Sequence, residues 1–200
     1  MGDPKFSRKK YTTPSHPWER DRIREEIELI RKYGLKNKRE IWKAKSILAK
    51  FRQNARRLHA RCRAGDKQAE REREQLLNRL INLGLIQPGA DLDDVLALTV
   101  EAVLGRRLQT LVYLKGLART QRQARQFIVH GHTAIGDRRV TVPGYLVKKD
   151  EEPKITYYAG SKLSDESHPM RPGPEDLPID KDKIDTSLSQ AGTVTITEKE

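Results

Sequence analysis

The sequence has a single cysteine, Cys62, so it can form no intramolecular disulfide and no thiolate metal cage. It has no apolar run near the roughly 20 residues that a membrane span needs. No apolar region of the signal-peptide kind follows its first residues, and Phe6 stands where a myristoylation signal requires a hydroxyl residue. The expected address is the cytoplasm, with no membrane partner. Apolar residues are also scarce: 36% of the 200 are hydrophobic and 34% are charged. That balance argues against one large core and for charged helices packed on a large polar partner. Catalytic groupings are missing too. His130 and His132 are the only close histidine pair, without a carboxylate or thiolate at ligand spacing, and His16, His59 and His168 are scattered. No metal, no cofactor and no small-molecule substrate is therefore expected.

What is present is positive charge. The formal net charge is +12 and is uneven: residues 164–200 hold 4 Lys/Arg against 9 Asp/Glu, a net of −5, which leaves +17 on residues 1–163. Such a field selects polyanions, because each cation near a phosphate releases condensed counterions.

Residues 1–14 read as an extended basic arm, with Lys5, Arg8, Lys9, Lys10 and Tyr11 between Pro4 and Pro14. Cations with single aromatics suit a nucleic-acid groove. Residues 15–105 read as a charged helical domain. Ser15 can cap a first helix with Pro17 in its first turn, Ile23, Ile27 and Ile30 on one face, and Gly34 as its stop. Asn37 and Glu40 form a capping-box signature for a second helix. Its stripe is Ile41, Ala44, Leu48, Phe51, Ala55, Leu58 and Cys62, at alternating steps of three and four. The other faces are crowded with cations, Lys43, Lys50, Arg56 and Arg57 among them, with almost no acids to balance them. An RNA backbone would relieve that repulsion. Further helices are expected after Asp66, after Asp91 and from Thr99, with stops at Gly65 and Gly84.

The sharpest signal lies in residues 106–158. A helix from Arg106 with Leu108, Leu111 and Val112 inside ends at Gly116. Thr120 and Gln123 form a capping box for a second helix with Ala124, Phe127 and Ile128 inside, ending at Gly131. This is an αα-hairpin with an abrupt turn. Arg106, Arg107, Arg119, Arg122 and Arg125, with Gln121, Gln126, His130 and His132, are candidate RNA ligands beside the capping Thr120. Arginine forks match phosphate oxygens, and the second helix's N-terminus offers a phosphate seat. Arg122 and Arg125 are three apart and are expected to share a free face opposite Phe127. Strands are expected at residues 133–135, 140–142, 146–147 and 154–158. The fold class is α+β: a mainly helical N-terminal region plus an αα-hairpin packed on a small, mostly antiparallel sheet. Residues 159–200 read as an acidic, extended C-terminal tail, with a short strand at 192–197 that could pair with a neighbouring protein.

Residues 106–147 resemble the RNA-binding domain first named for the fourth protein of the small ribosomal subunit. Arg106, Arg107 and Leu108 match its opening Arg-Leu motif. Arg119, Thr120, Ala124, Arg125, Gln126, Gly131 and His132 match the second motif. From Lys9 to Tyr158 the chain is similar to that ribosomal protein family in its archaeal and eukaryotic branch. The resemblance implies a structural, non-enzymatic protein that binds small-subunit rRNA early, nucleates the subunit body and supports translational accuracy. It also implies a place beside neighbouring small-subunit proteins, including the fifth, where mRNA enters and is a further partner. The zinc-binding cysteine cluster of some bacterial members is absent.

Two other readings compete. A regulatory or quality-control RNA-binding protein off the ribosome would use the same module, but the arginine-lined helices favour permanent burial in folded RNA. An RNA-modifying enzyme would need a substrate pocket built on a sheet, and residues 1–105 show no strand pattern to supply one.

Overall fold

The computed structural model describes residues 9–165 and 168–173. Lys5 and Arg8 of the basic arm, and the strand expected at 192–197, lie outside the described residues. The order is α1 (Arg20–Lys32), α2 (Lys38–Arg63), α3 (Lys67–Asn82), α4 (Leu92–Ala97), α5 (Val100–Gly105), α6 (Leu108–Leu114), α7 (Gln121–Val129), β1 (Thr133–Ile135), β2 (Arg138–Arg139) and β3 (Ile155–Tyr157). The class is α+β, as expected: helices dominate, and one antiparallel sheet has the strand order β2-β1-β3.

Helix α2 is the spine of the N-terminal half. Ile41, Ala44, Leu48, Phe51, Ala55 and Leu58 are all buried, as their spacing requires, and pack with Leu80, Val95 and Leu104 in a first core. Cys62 closes the stripe half-buried. Asp66 caps α3 by accepting the Gln68 N–H at 2.9 Å, and Asp91 with Asp94 forms a capping box on α4. The first helix departs from expectation. It begins after Glu19, because Arg22 donates to the carbonyls of His16 and Pro17 and holds that turn out of the helix. Its inward side carries Glu26 and Tyr33, and Ile27 lies exposed.

A second, separate core joins α6, α7 and the sheet through Leu108, Leu111, Val112, Ala124, Phe127, Ile128 and Ile155. Leu163 is buried there as well, so the stretch read as the start of the tail is part of the packed body. Two separate cores fit the low apolar content. Residues 140–142 and 146–147 do not form the strands expected of them. Val140 adds one bond to Thr133, and Leu146 makes only an isolated bridge with Arg107. The chain instead turns at Pro143, whose carbonyl, with that of Tyr145, accepts from Gln109 and Leu108 at the start of α6. The loop thus satisfies helix N–H groups that have no intrahelical partner.

Gly34 joins the two halves. Its φ is +57°, and a Cβ there would stand 2.7 Å from the Cβ of Gln121, the first residue of α7. Gly34→Ala combines left-handed strain with that close approach and is expected to cost about 1–3 kcal/mol in chemical denaturation. A variant as stable as wild type would mean that the two halves are not packed together at this point.

Candidate nucleic-acid interface

The contact between the halves is built on one carboxylate. Glu40, in the first turn of α2, accepts from Arg107 Nη2 at 2.6 Å and is gripped by Arg125, Nη2 to Oε1 at 2.7 Å and Nη1 to Oε2 at 3.1 Å. Arg125 Nη1 also reaches Gln109 Oε1 at 3.3 Å. Gln109 is itself buried, and its Nε2 donates to the carbonyls of Tyr33, Gly34 and Gln121. Burial pushes the Glu40 carboxyl up. The hydrogen bonds and charges of Arg125 and Arg107 outweigh it, so its pKa lies below the ordinary carboxylate value. The expected capping box is absent: Asn37 makes no side-chain cap, and Glu40 reaches across to α6 and α7.

Three candidate RNA ligands therefore serve inside the protein. Arg107 and Arg125 close this latch, with side chains 9% and 22% exposed. Arg106 pairs with Glu152 at 2.7 Å and donates to the Val147 carbonyl, and its side chain is 8% exposed. Arg122 and Arg125 do not share a free face: Arg125 turns to α2, whereas Arg122 is exposed and has no side-chain partner among the described residues. Gln121 is buried, with both side-chain polar atoms unpartnered among the described residues.

The outward stripe of α7 is Arg122, Gln126, Val129 and His130, all exposed and spaced by helical turns. His132 is half-buried, with Nδ1 2.8 Å from Ser161 Oγ and its ring edge-on to Phe127. Burial first, then the electrostatic influence of His130, Arg139 and His168, holds its pKa below the usual histidine value. It is neutral near pH 7 and acts as packing. Thr120 caps α7 by accepting the Gln123 N–H, and Gln123 Oε1 reaches back to the Arg119 N–H. Arg119 is exposed, but it donates to the carbonyls of Pro169 and Arg171, and Gln123 donates to that of Met170. Residues 168–173 thus lie over the first turn of α7, where a phosphate seat was expected.

On α2, Lys43, Lys50, Arg56 and Arg57 are exposed, and Arg57 stands 3.6 Å from Glu72. Lys9 and Lys10 are exposed on the arm. The helix is less starved of acids than its own sequence suggests, because Glu26 and Glu72 approach Lys38, Lys45, Arg57 and Arg61 from other helices. Arg138 and Arg139, not singled out from the sequence, make up the exposed strand β2, and Arg139 Nη2 donates to the His130 carbonyl at 2.9 Å. Two arginines after a Gly-Asp turn were the available signal. Among the described residues no group of three or more His, Cys, Asp or Glu is placed to hold a metal ion, and no helix is long and apolar enough to cross a membrane.

Comparison with known proteins covers both halves. Residues 5–105 match the ribosomal protein S4/S9 N-terminal domain family, and residues 106–152 match the S4 domain family. The chain is 53% identical over 171 residues to the small ribosomal subunit protein uS4 of Thermoplasma volcanium, covering 86% of each chain. It is 54% identical over 171 residues to the uS4 of Picrophilus torridus, covering 86% of this chain and 93% of the relative. It is 51% identical over 174 residues to that of Methanococcoides burtonii, covering 86% and 95%.

Proposed function

The chain belongs to the uS4 family of small ribosomal subunit proteins, and we propose that it works as a structural, non-enzymatic protein that clamps folded small-subunit rRNA. The observation that carries this reading is the Glu40 latch, which ties the cationic helix α2 to α7, whose outward stripe carries Arg122. Residues 15–105 and 106–158 then act as two units of one rigid surface. Phosphates meet Lys43, Lys50, Arg56, Arg57 and Arg122, and specificity comes from RNA shape more than from base reading. Clamping of this kind would nucleate assembly of the subunit body and support translational accuracy. The family resemblance supports a position in the cytoplasmic ribosome beside other small-subunit proteins, the fifth among them, and near mRNA where it enters.

Arg122 separates binding from folding. Arg122→Ala should weaken binding to small-subunit rRNA and reduce the log–log salt slope by about 0.7–0.9. Its melting temperature should stay at the wild-type value. Unchanged affinity and slope would remove α7 from the RNA surface.

A further inference from the structure

The described part of the N-terminal arm folds back over α1 and α2. The Thr12 N–H donates to Ser46 Oγ at 3.1 Å. Lys9 Nζ lies 4.8 Å over the Tyr11 ring, which stands 6.0 Å from the Trp42 ring at a tilt of 33°. Between arm and helices is a cleft of about 580 Å³, within the roughly 300–1,000 Å³ typical of small-ligand sites. Lys9, Lys10, Arg22, Lys45 and Lys50 line it, and its one carboxylate is the fully buried Glu26. Glu26 Oε1 accepts from Trp42 Nε1 at 2.9 Å and from Arg22 Nη1 at 3.1 Å, which fixes the indole, and Oε2 stands 3.6 Å from Lys38 Nζ.

We propose that this cleft seats one unpaired ribonucleotide, its base against Trp42 and Tyr11 and its flanking phosphates on Lys9, Lys10 and Lys50. The inference rests on the rRNA-binding reading and adds to it a site and a single-stranded ligand. Lysines alone suit any polyanion. The aromatic floor does not, since every base has a π-face to stack on it and a phosphate has none. Bases in a duplex are held in their own stack and cannot enter.

Tryptophan emission tests this in the 200-residue chain. The protein has two tryptophans, and Trp18 is 90% exposed, so Trp18→Phe isolates Trp42 without disturbing packing. That variant is titrated with a short oligouridylate, an RNA duplex and inorganic polyphosphate, with binding followed in parallel by mobility shift. The expected result is quenching of Trp42 by oligouridylate alone. Adding Lys50→Ala should lower the salt slope of that quenching by about 0.7. Adding Tyr11→Ala should weaken it by about 5- to 150-fold. Oligouridylate binding with unchanged Trp42 emission, or equal quenching by polyphosphate, would overturn the inference and leave the rRNA reading standing. No binding of either RNA would overturn both.

Discussion

Glu40→Ala is expected to destabilise the protein by about 3–5 kcal/mol, the usual cost of removing one partner from a buried ion pair. The mechanism is the desolvated charge left behind. Arg107 and Arg125 would remain at the joint between the halves with no carboxylate, and Arg107 Nε already lacks a partner there. Equilibrium urea unfolding measures the loss, and a cost below about 1 kcal/mol, typical of an exposed pair, would show that the latch does not hold the halves together. An apolar replacement separates unpaired charge from lost packing. Glu40→Met, Arg107→Met and Arg125→Leu together should recover much of the stability, as apolar substitutes for buried ion pairs often do. If that triple variant also keeps its rRNA affinity, the two arginines act only within the protein. The latch depends on pH with a definite sign. The folded-state pKa of Glu40 is lowered, so its contribution is fully present above the unfolded value of about 4.3 and is lost as pH falls through the folded value. The stability gap between wild type and Glu40→Gln should therefore be widest near neutrality and narrow in acid.

Phe127→Ala is the second large effect. Phe127 is 3% exposed within the core that joins α7 to the sheet. Emptying an aromatic core site costs about 3–5 kcal/mol, more than a small core tolerates easily. Because the protein has two separate cores, the damage should start in one of them. Amide exchange should rise in α6, α7 and β1 before it rises in α2. RNA affinity should fall as a consequence of unfolding. Phe127→Leu keeps most of the volume and should retain both fold and affinity. A Phe127→Ala protein that stays folded but cannot bind RNA would make Phe127 a stacking surface and contradict its place in the core.

The difference between Phe127 and the arginines shows what the sequence could reveal. Helical spacing separates the inside of one helix from its outside, so the stripes of α2 and α7 were legible residue by residue. Spacing does not say which charged flank meets another element. Arg107 and Arg125 find Glu40 across 67 and 85 residues of chain, and nothing local distinguishes Arg125 from the exposed Arg122. The available hint was Glu40 itself, the lone acid among Lys36, Lys38, Arg39, Lys43 and Lys45. Local pattern read it as a helix cap, and tertiary contact gave it other partners. The valines at 140 and 142 misled for a similar reason: they alternate as a strand would, but the carbonyls just beyond them cap α6. The cover over α7 by residues 168–173 had no signal, since it is made through backbone carbonyls that any residue carries.

The surface held by Glu40 is expected to bind small-subunit rRNA. Ultraviolet crosslinking in cells, followed by sequencing of the attached RNA, tests it most directly. The predicted result is a dominant peak in small-subunit rRNA, with crosslinks to peptides of both α2 and α7. Dominant peaks in tRNA or mRNA, or crosslinks confined to one half of the protein, would contradict it.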